Sequence, residues 1–315
     1  MSSFISRTGT TRIGGSGAPP FQGRDRGPLR SQCEVLAYRK IGTYHSLTFV
    51  SPEIADRAEP GQFVTIGVEG KHTVLRRPFS IYQVSRHGPW AGTVEVIFQA
   101  TGEGTRWLTT RAKHDIVDLV GPLGTPFPIP QQNVTSLLVG QGYGTAPLLY
   151  LAGILQQRGL RADMIIGAAS ADGIFNAIEA KRLSATTVFT TEDGSLGEEG
   201  IITDVVTRML ATGRTGLVYA SGPMPMLREV SMLAMAHDVP VRVATEEAMA
   251  CGTGVCWTCV LPVERKGQLY NLRGCTEGPV FNGAKVRWDA IGALPVMNLP
   301  EPGEGDEDDD LGVDA

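Results

Sequence analysis

The sequence predicts a β plus α/β protein in three parts: a small antiparallel barrel, a parallel sheet with helices, and a loop-rich cysteine module. Three observations predict this fold class. Short strand-like segments separated by Gly and Pro run from Cys33 to about Phe127. Near residue 134 the pattern changes to apolar strands that alternate with helical stretches. Four of the five cysteines then fall between Cys251 and Cys275.

Composition sets limits on the function. A chain of 315 residues exceeds the usual size of one hydrophobic core, so about two domains are expected. The net charge of -5 provides no basic field, so nucleic acid is not an expected partner. No apolar run approaches the roughly 20 residues that span a bilayer, so no membrane partner is expected. The N-terminus shows no apolar h-region behind its positive charges, which predicts a cytoplasmic protein, and clustered cysteines without a disulfide pattern indicate a reducing compartment.

Both ends of the chain have the composition of disordered segments. Residues 1–30 mix Gly, Ser, Pro and Arg without periodic apolar positions, which predicts a disordered leader. Residues 291–315 concentrate acidic side chains with Gly and Pro, and their mutual repulsion predicts a solvated acidic tail.

The barrel is predicted over residues 31–130. Gly and Pro punctuate its strand segments, which begin at CEVLAYRKI and end at DIVDLVGPLG. Such short, evenly spaced strands are typical of a small antiparallel Greek-key barrel. The GPLG segment, residues 121–124, is expected to be a turn that closes the barrel.

The parallel sheet is predicted over residues 131–245, where four apolar strands each precede a helical stretch. Three Gly-rich turns follow strands: VGQGYGTAP, TTEDGSLGEEG and YASGPMPML. Because ligands bind outside the carboxyl ends of parallel strands, these turns predict a nicotinamide nucleotide site. NADH is favoured over NADPH, since no Arg follows MIIGAAS to pair a 2′-phosphate, and Asp172 suits a ribose hydroxyl or repels that phosphate. The candidate contacts are Gly140, Gly142, Gly144, Thr145, Asp193, Gly222 and Pro223.

The cysteine module is predicted over residues 246–290. Its first three cysteines have the C-x4-C-x2-C spacing that wraps a 2Fe-2S cluster, and Gly252 and Gly254 suit a loop that turns its N–H groups toward sulfur. A four-cysteine zinc site and unligated thiols are the alternatives. Cys33, far away in a strand, is expected to be a buried hydrophobe. The predicted cluster ligands are Cys251, Cys256, Cys259 and Cys275.

Three barrel segments together predict a flavin site. In RRPFS, the Arg77 guanidinium suits a diphosphate, Pro78 keeps the chain extended and Ser80 offers a hydroxyl. In TGEGT, the N–H groups of Gly104 and Thr105 at a helix start suit the same diphosphate. Together with GPLG, the order and spacing of these segments favour a bound flavin over ordinary turns.

The motifs as a set resemble a known family. RRPFSIY, TGEGTRWL, GPLG, VGQGYGTAPLLYLA, TEDGSLGEEGIITD, SGPMPML, EEAMACGTGVCWTC and CTEGPVF occur in the order seen in electron transfer subunits of NAD-dependent dihydroorotate dehydrogenase, within the ferredoxin reductase-like superfamily. The resemblance implies one FAD, one 2Fe-2S cluster, NAD(H) as co-substrate and a role in pyrimidine (UMP) biosynthesis. It implies an FMN-containing catalytic partner subunit in a heterotetramer of two plus two. The residues it assigns to FAD are Arg77, Pro78, Phe79, Ser80, Gly102, Gly104 and Thr105.

The chain departs from the family pattern at two positions. Ser221 stands where the family usually has Cys, and Gln141 where it often has Gly. A hydride carries two electrons and the cluster takes one, so the expected order is NADH, FAD, cluster and partner. None of the five histidines lies in a motif, so no catalytic acid or base is predicted. The alternatives are a reductase for another acceptor, such as a ferredoxin or hydrogenase-like partner, and a zinc-stabilised nucleotide-binding regulator.

Overall fold

The structure is a computed structural model that describes residues 11–12, 27–70 and 73–292. Most of the predicted leader and nearly all of the predicted acidic tail lie outside these residues. Within the part of the chain that is described, no helix combines the length and apolar character needed to cross a bilayer.

The N-terminal part is an antiparallel barrel. Its strands close in the order β2, β3, β6, β5, β4, β7 and back to β2, which confirms the predicted barrel. Along β2 every second side chain from Leu29 to Val35 is buried, as a half-buried strand requires. The elements are β1 (Thr11–Arg12), β2 (Leu29–Ile41), β3 (Tyr44–Val50), α1 (Pro52–Arg57), β4 (Phe63–Ile66), β5 (Arg77–Ser85), β6 (Thr93–Phe98), α2 (Glu103–Thr109) and β7 (Ile116–Leu123).

Two predictions about the barrel need correction. The leader was predicted as disordered through residue 30, but β2 begins at Leu29 and pairs there with β1, which lies inside the predicted leader. GPLG is not a turn, because Gly121 to Leu123 form the end of β7 and pair with β2 and β4. The segment still closes the barrel, since Gly121 is the register partner of Leu29.

The second part is a sheet with helices on both faces. Its order is β11, β10, β9, β8, β12, β13 and β16, parallel except for the final antiparallel edge. Strands β9, β12 and β13 are buried along their whole length, as expected for a parallel sheet covered on both faces. The elements are β8 (Ser136–Gln141), α3 (Thr145–Gln157), β9 (Ala162–Ala168), α4 (Ala177–Leu183), β10 (Thr186–Thr191), β11 (Glu198–Glu199), α5 (Ile202–Leu210), β12 (Leu217–Ser221), α6 (Met224–Ala236) and β13 (Val241–Ala244).

The cysteine module is built onto this sheet. After a loop it forms the hairpin β14 (Val260–Arg265) and β15 (Gln268–Arg273), and its last strand, β16 (Val280–Asn282), pairs with β13. The module therefore completes the sheet edge. It also contacts the barrel, where the Thr125 N–H donates to the Gly278 carbonyl at 2.7 Å.

Tyrosine hydroxyls join the barrel side to the sheet. Tyr150 on α3 donates to the carbonyl of Ala58 at 2.8 Å, and Tyr44 on β3 donates to the carbonyl of Gly173 at 2.7 Å. Both rings are buried, so each supplies apolar packing as well as one directed bond. These contacts join the barrel to helix α3 and to the segment that follows β9.

Candidate functional site

The cysteine loop runs between β13 and β14, and hairpin β14–β15 brings the fourth cysteine back to it. The Gly274 N–H donates to the Cys259 carbonyl at 2.6 Å, which holds Cys275 beside Cys259. All five cysteines of the chain are free of disulfides. The local fold therefore brings together four cysteines whose first and last members are 24 positions apart in sequence (275 minus 251): Cys251, Cys256, Cys259 and Cys275.

Backbone N–H groups point at two of the sulfurs. The Gly254 N–H donates to Cys275 Sγ at 3.2 Å, and those of Thr253 and Val255 to Cys251 Sγ at 3.4 Å. Burial acts to raise the pKa of Cys251, but hydrogen bonds from the Thr253, Cys256 and Val255 N–H groups and from the Cys256 side chain outweigh it and lower the pKa to about 6. Gly252 and Gly254 have φ of 70° and 82°, the left-handed backbone that the sequence analysis expected at these positions.

The four cysteine thiols, with backbone N–H groups that donate to two of their sulfurs, fit an iron-sulfur cluster, which is held by thiolates and hydrogen-bonded at sulfur.

The cysteine loop has one buried and one exposed side. Cys259 and Cys275 are each 1% exposed and pack with Phe63, Val120 and Leu123 of the barrel. The opposite side presents Cys256, with Val255 at 74% exposed and Trp257 at 37%. One half of the candidate cluster site therefore faces the barrel and the other half faces solvent.

Arg273 supports this loop, and the sequence analysis missed it. Its buried guanidinium donates to the Gly254 carbonyl at 2.9 Å, forms an ion pair with Glu277 and lies 4.6 Å from the Trp257 ring centroid. Trp257 has a φ of 57°, unusual for a large side chain, and stacking on Arg273 helps to hold it there. The R-x-x-x-E spacing was the only available signal, and it is too common to be informative.

The predicted flavin residues lie on β5 and α2. Arg77 begins β5, and its Nε is 3.0 Å from where a β-carbon on Gly104 would be. Arg77 and Gly104 are thus adjacent, as two groups that hold one diphosphate must be. Gly102 is the N-cap of α2, and its N–H donates to the Thr105 hydroxyl at 2.9 Å.

The other flavin candidates sit along the same strand. Pro78 pairs with Thr65, the Phe79 ring packs against Phe98 with centroids 5.5 Å apart, and Ser80 is exposed. The Arg77 guanidinium, packed against a glycine at the start of α2, suits an anionic group such as a flavin diphosphate.

Arg76 anchors this motif, although the sequence analysis assigned it no role. It donates to the Thr65 hydroxyl at 3.1 Å, to the Thr65 carbonyl at 3.0 Å and to the Asp118 carbonyl at 2.7 Å. Its ion pair with the Asp118 carboxylate measures 3.0 Å. Arg76 is therefore structural, whereas its neighbour Arg77 faces the α2 corner.

The predicted nucleotide turns meet at one sheet edge. Gly140 and Ser221 are register partners at the carboxyl ends of β8 and β12. A β-carbon on Gly144 would lie 2.7 Å from Gly222 Cα, so the two turns touch through their backbones. Pro223 caps the start of α6 beside them.

The three glycines of the first turn differ in role. A β-carbon on Gly140 would lie 2.7 Å from the hydroxyl oxygen of Thr145, so Gly140, like Gly144, is required for packing. Gly142 has a φ of 58° and meets only the Tyr44 hydroxyl, at 3.5 Å, so it lines the open edge. The Thr145 side chain is fully buried behind this turn, and its hydroxyl finds no hydrogen-bond partner among the described residues, so Thr145 stays a predicted nucleotide contact.

The Asp193 carboxylate at this edge is held within its own turn, whereas Asp172 is bonded through its backbone. The Asp193 carboxylate accepts the Ser195 hydroxyl at 2.6 Å and the Ser195 N–H at 3.0 Å, and these bonds lower the pKa of Asp193. Asp193 therefore shapes its own turn. The Asp172 carbonyl accepts a bond from Thr43 at 3.1 Å.

A further link at this edge was not predicted from the sequence. The Tyr143 hydroxyl donates to the Glu246 carboxylate at 3.0 Å, and so joins the nucleotide turn to the start of the cysteine module. Burial raises the pKa of Glu246, and the bond from Tyr143 partly opposes this rise.

Comparisons with known proteins agree with this geometry. Residues 246–287 match the iron-sulfur cluster binding domain of dihydroorotate dehydrogenase B. The dihydroorotate dehydrogenase B (NAD(+)) electron transfer subunit of Desulforamulus reducens is 35% identical over 259 residues, covering 81% of this chain and 97% of that protein. The corresponding subunit of Geobacillus thermodenitrificans is 36% identical and covers 82% and 98%.

A solved structure described as an NADH-dependent reduced ferredoxin-NADP oxidoreductase aligns with a TM-score of 0.72 at 29% identity, covering 89% of this chain and 93% of that one. A ferredoxin reductase of carbazole 1,9a-dioxygenase shares the fold, with a TM-score of 0.59 at 21% identity and 70% coverage of both chains. With relatives above 30% identity matched over nearly their whole length, the chain belongs to the family of dihydroorotate dehydrogenase B (NAD(+)) electron transfer subunits.

Proposed function

We propose that this chain passes electrons between NAD(H) and a dihydroorotate dehydrogenase catalytic subunit through FAD and a 2Fe-2S cluster, in pyrimidine (UMP) biosynthesis. One observation carries the proposal. The four-cysteine loop packs its buried side against strand β4, and β4 pairs directly with β5, which carries the flavin motif. The names of the relatives support the same reading.

The three parts of the chain divide the work. We assign FAD to the barrel, residues 31–130, the nucleotide to residues 131–245 and the cluster to residues 246–290. When bound, FAD supplies the conversion between the two-electron chemistry of a hydride and the one-electron chemistry of the cluster.

The chain itself binds and orients these groups. The Arg77 guanidinium and the first turn of α2 would bind the FAD diphosphate. Gly142, which meets only the Tyr44 hydroxyl, would let a nucleotide approach the sheet edge, where Gly222 packs against Gly144. Cys259 and Cys275 would hold the cluster from the buried side of the loop, where apolar side chains exclude water.

The exposed side of the cysteine loop is the proposed contact with the partner. Val255 and Trp257 present apolar surface beside the exposed Cys256. Aromatic and apolar side chains of this kind are typical of the centre of a protein interface. The proposed partner is the FMN-containing catalytic subunit, in a heterotetramer of two plus two.

Anaerobic titration tests the proposal. The purified chain with its cofactors is mixed with NADH, and the flavin band and the cluster's paramagnetic resonance signal are followed. Bleaching of the flavin, a reduced-cluster signal and reoxidation by orotate in the presence of the FMN subunit are expected. A flavin that NADH does not bleach, or a reduced chain that orotate cannot reoxidise through that subunit, would refute it.

A second candidate function is transfer to another acceptor, such as a ferredoxin. The similarity to a ferredoxin-NADP oxidoreductase structure at a TM-score of 0.72 favours it. Reoxidation by ferredoxin but not by orotate with the FMN subunit would select this alternative.

We also propose a cytoplasmic location. Support comes from the four proposed cluster ligands, which are free of disulfides, because cluster ligands must stay reduced to bind iron.

A further inference from the structure

Side chains of strand β4 alternate between two faces of the strand. One face contacts the barrel core and the other faces the cysteine loop. Val64 and Ile66 belong to the barrel core, whereas Phe63 packs with the cluster cysteines. Thr65 lies on the same face as Phe63 and is 2% exposed. The Thr65 methyl group therefore lies between the barrel and the cysteine loop.

Gly252, next to the cluster ligand Cys251, meets this methyl group. A β-carbon on Gly252 would lie 2.6 Å from Thr65 Cγ2, a distance that real β-carbons do not reach. The next atoms, on Phe63 and Leu123, lie at 3.7 and 3.8 Å. Contact with Thr65 thus limits how closely the loop approaches the barrel.

Thr65 has little freedom to move away. Arg76 donates to both its hydroxyl and its carbonyl, at 3.1 and 3.0 Å, and Arg76 is itself held by Asp118. In the pairing of β4 with β5, Thr65 is the register partner of Pro78, which belongs to the flavin motif. One strand pairing therefore connects the flavin motif to the residue that touches the cysteine loop.

We propose that the Thr65–Gly252 contact sets the separation between the flavin strand and the cluster loop, which makes Thr65 a positioning residue for electron transfer between FAD and the cluster. The inference rests on the proposed function. Electron transfer between two bound groups slows steeply as they move apart. A side chain at Gly252 would push the loop away from β4 and slow the transfer without touching the nucleotide site.

Four variants of the full chain test this inference. Gly252→Ala introduces the clash. Thr65→Ser removes the methyl group but keeps the hydroxyl that Arg76 binds, and the double variant combines the two. Gly267→Ala is the matched control, because Gly267 lies in the β14–β15 turn of the same module with a φ of 75° and no atom within 4 Å of its β-carbon position. It therefore reports the cost of backbone strain alone.

Rapid anaerobic mixing with NADH separates two steps by their absorbance changes. The hydride of NADH brings two electrons to FAD, and one electron at a time then reaches the cluster. We expect Gly252→Ala to slow cluster reduction several-fold with flavin reduction unchanged, Gly267→Ala to leave both rates unchanged, and the double variant to recover most of the lost rate. Thermal unfolding should show the same rescue, with the double variant more stable than the sum of the single effects.

The outcomes distinguish this inference from the function on which it rests. If Gly252→Ala matches Gly267→Ala, or if Thr65→Ser rescues neither the rate nor the stability, the inference is overturned. If the Gly252→Ala variant loses its cluster, the iron content of the purified variants is compared instead of the rate. The inference is then overturned if adding Thr65→Ser to Gly252→Ala does not restore the iron content. A wild-type chain whose flavin or cluster NADH does not reduce refutes the proposed function and the inference with it.

Discussion

The Arg77 guanidinium lies where a side chain on residue 104 would have to be placed: its Nε is 3.0 Å from the position that a β-carbon on Gly104 would take. Strand β5 and the first turn of α2 therefore form a single corner, although the two residues are 27 positions apart (104 minus 77). A hydrogen bond from Arg77 Nη1 to the Leu75 carbonyl at 2.9 Å orients the guanidinium. An anion in this corner meets a fixed positive charge and helix N–H groups.

Loss of the Arg77 charge should weaken FAD binding. Arg77→Gln removes a charge-assisted contact of about 2 kcal/mol, which corresponds to roughly thirtyfold in affinity. The measurement is the dissociation constant of FAD for the purified chain. Arg208→Gln is the control, since the Arg208–Glu198 ion pair is exposed on both sides. Equal FAD affinity for the two variants would contradict the assignment of Arg77.

A side chain at Gly144 should separate the two nucleotide turns. In Gly144→Ala the new β-carbon meets the backbone of Gly222 and the Ser221 carbonyl, both at 2.7 Å, and neither can move as a side chain would. We expect the free energy of unfolding to fall by about 1–3 kcal/mol and the dissociation constant for NADH to rise.

Gly153→Ala is the matched control for this change. Gly153 lies on α3 with no atom within 4 Å of its β-carbon position, so this variant should gain about 0.5–1 kcal/mol and bind NADH normally. Denaturant unfolding and NADH titration measure both quantities. Normal NADH binding by Gly144→Ala would show that the contact between the turns is not needed at the nucleotide edge.

Removal of one predicted ligand should cost the cluster. Cys275→Ala takes away a thiol that accepts the Gly254 N–H, and the purified variant should lack the low-temperature resonance of a reduced cluster. Cys33→Ala removes an equally buried thiol inside the barrel and should lower stability while iron content stays normal. Iron and acid-labile sulfide analysis measures the difference. Full iron loading in Cys275→Ala would exclude Cys275 as a ligand.

Local patterns explain why much of the site could be predicted. The cluster loop is specified by cysteine spacing and by two glycines with positive φ, all within nine residues of sequence (251 to 259). The strand-to-helix turns are also local, because strand, Gly-rich turn and helix follow each other directly.

Long-range partners could not be predicted in the same way. Arg76 binds Asp118 and Tyr143 binds Glu246, pairs that lie 42 and 103 residues apart, and only the folded register brings them together. The roles of individual glycines could not be predicted from the sequence either. Gly140 packs against Thr145 whereas Gly142 lines the open edge, and nothing in the neighbouring sequence distinguishes the two. The three-residue strand β16 is too short to show any period.

The Asp118 carboxylate should make the stability of the barrel depend on pH. Burial acts to raise the pKa of Asp118, but bonds from Arg30 and Arg76 outweigh it and lower the pKa below the ordinary value of 3.8. The ionised carboxylate therefore stabilises the fold above about pH 3.8, and this stabilisation is lost as pH falls through the lower pKa of the folded state. Since the pair with Arg30 is partly exposed, the contribution is on the order of 1 kcal/mol.

Asp118→Asn should accordingly unfold more easily than the wild type at pH 7, with the difference shrinking as the pH drops below 3.8. The measurement is the free energy of unfolding in denaturant across this range. Asp289→Asn is the control, because the Asp289–Arg287 pair is exposed and should contribute little at any pH. A difference between Asp118→Asn and wild type that stays constant into strong acid would mean that the lost interaction is packing and not the carboxylate charge. In that case the two arginines would not be acting on Asp118 through its ionised form.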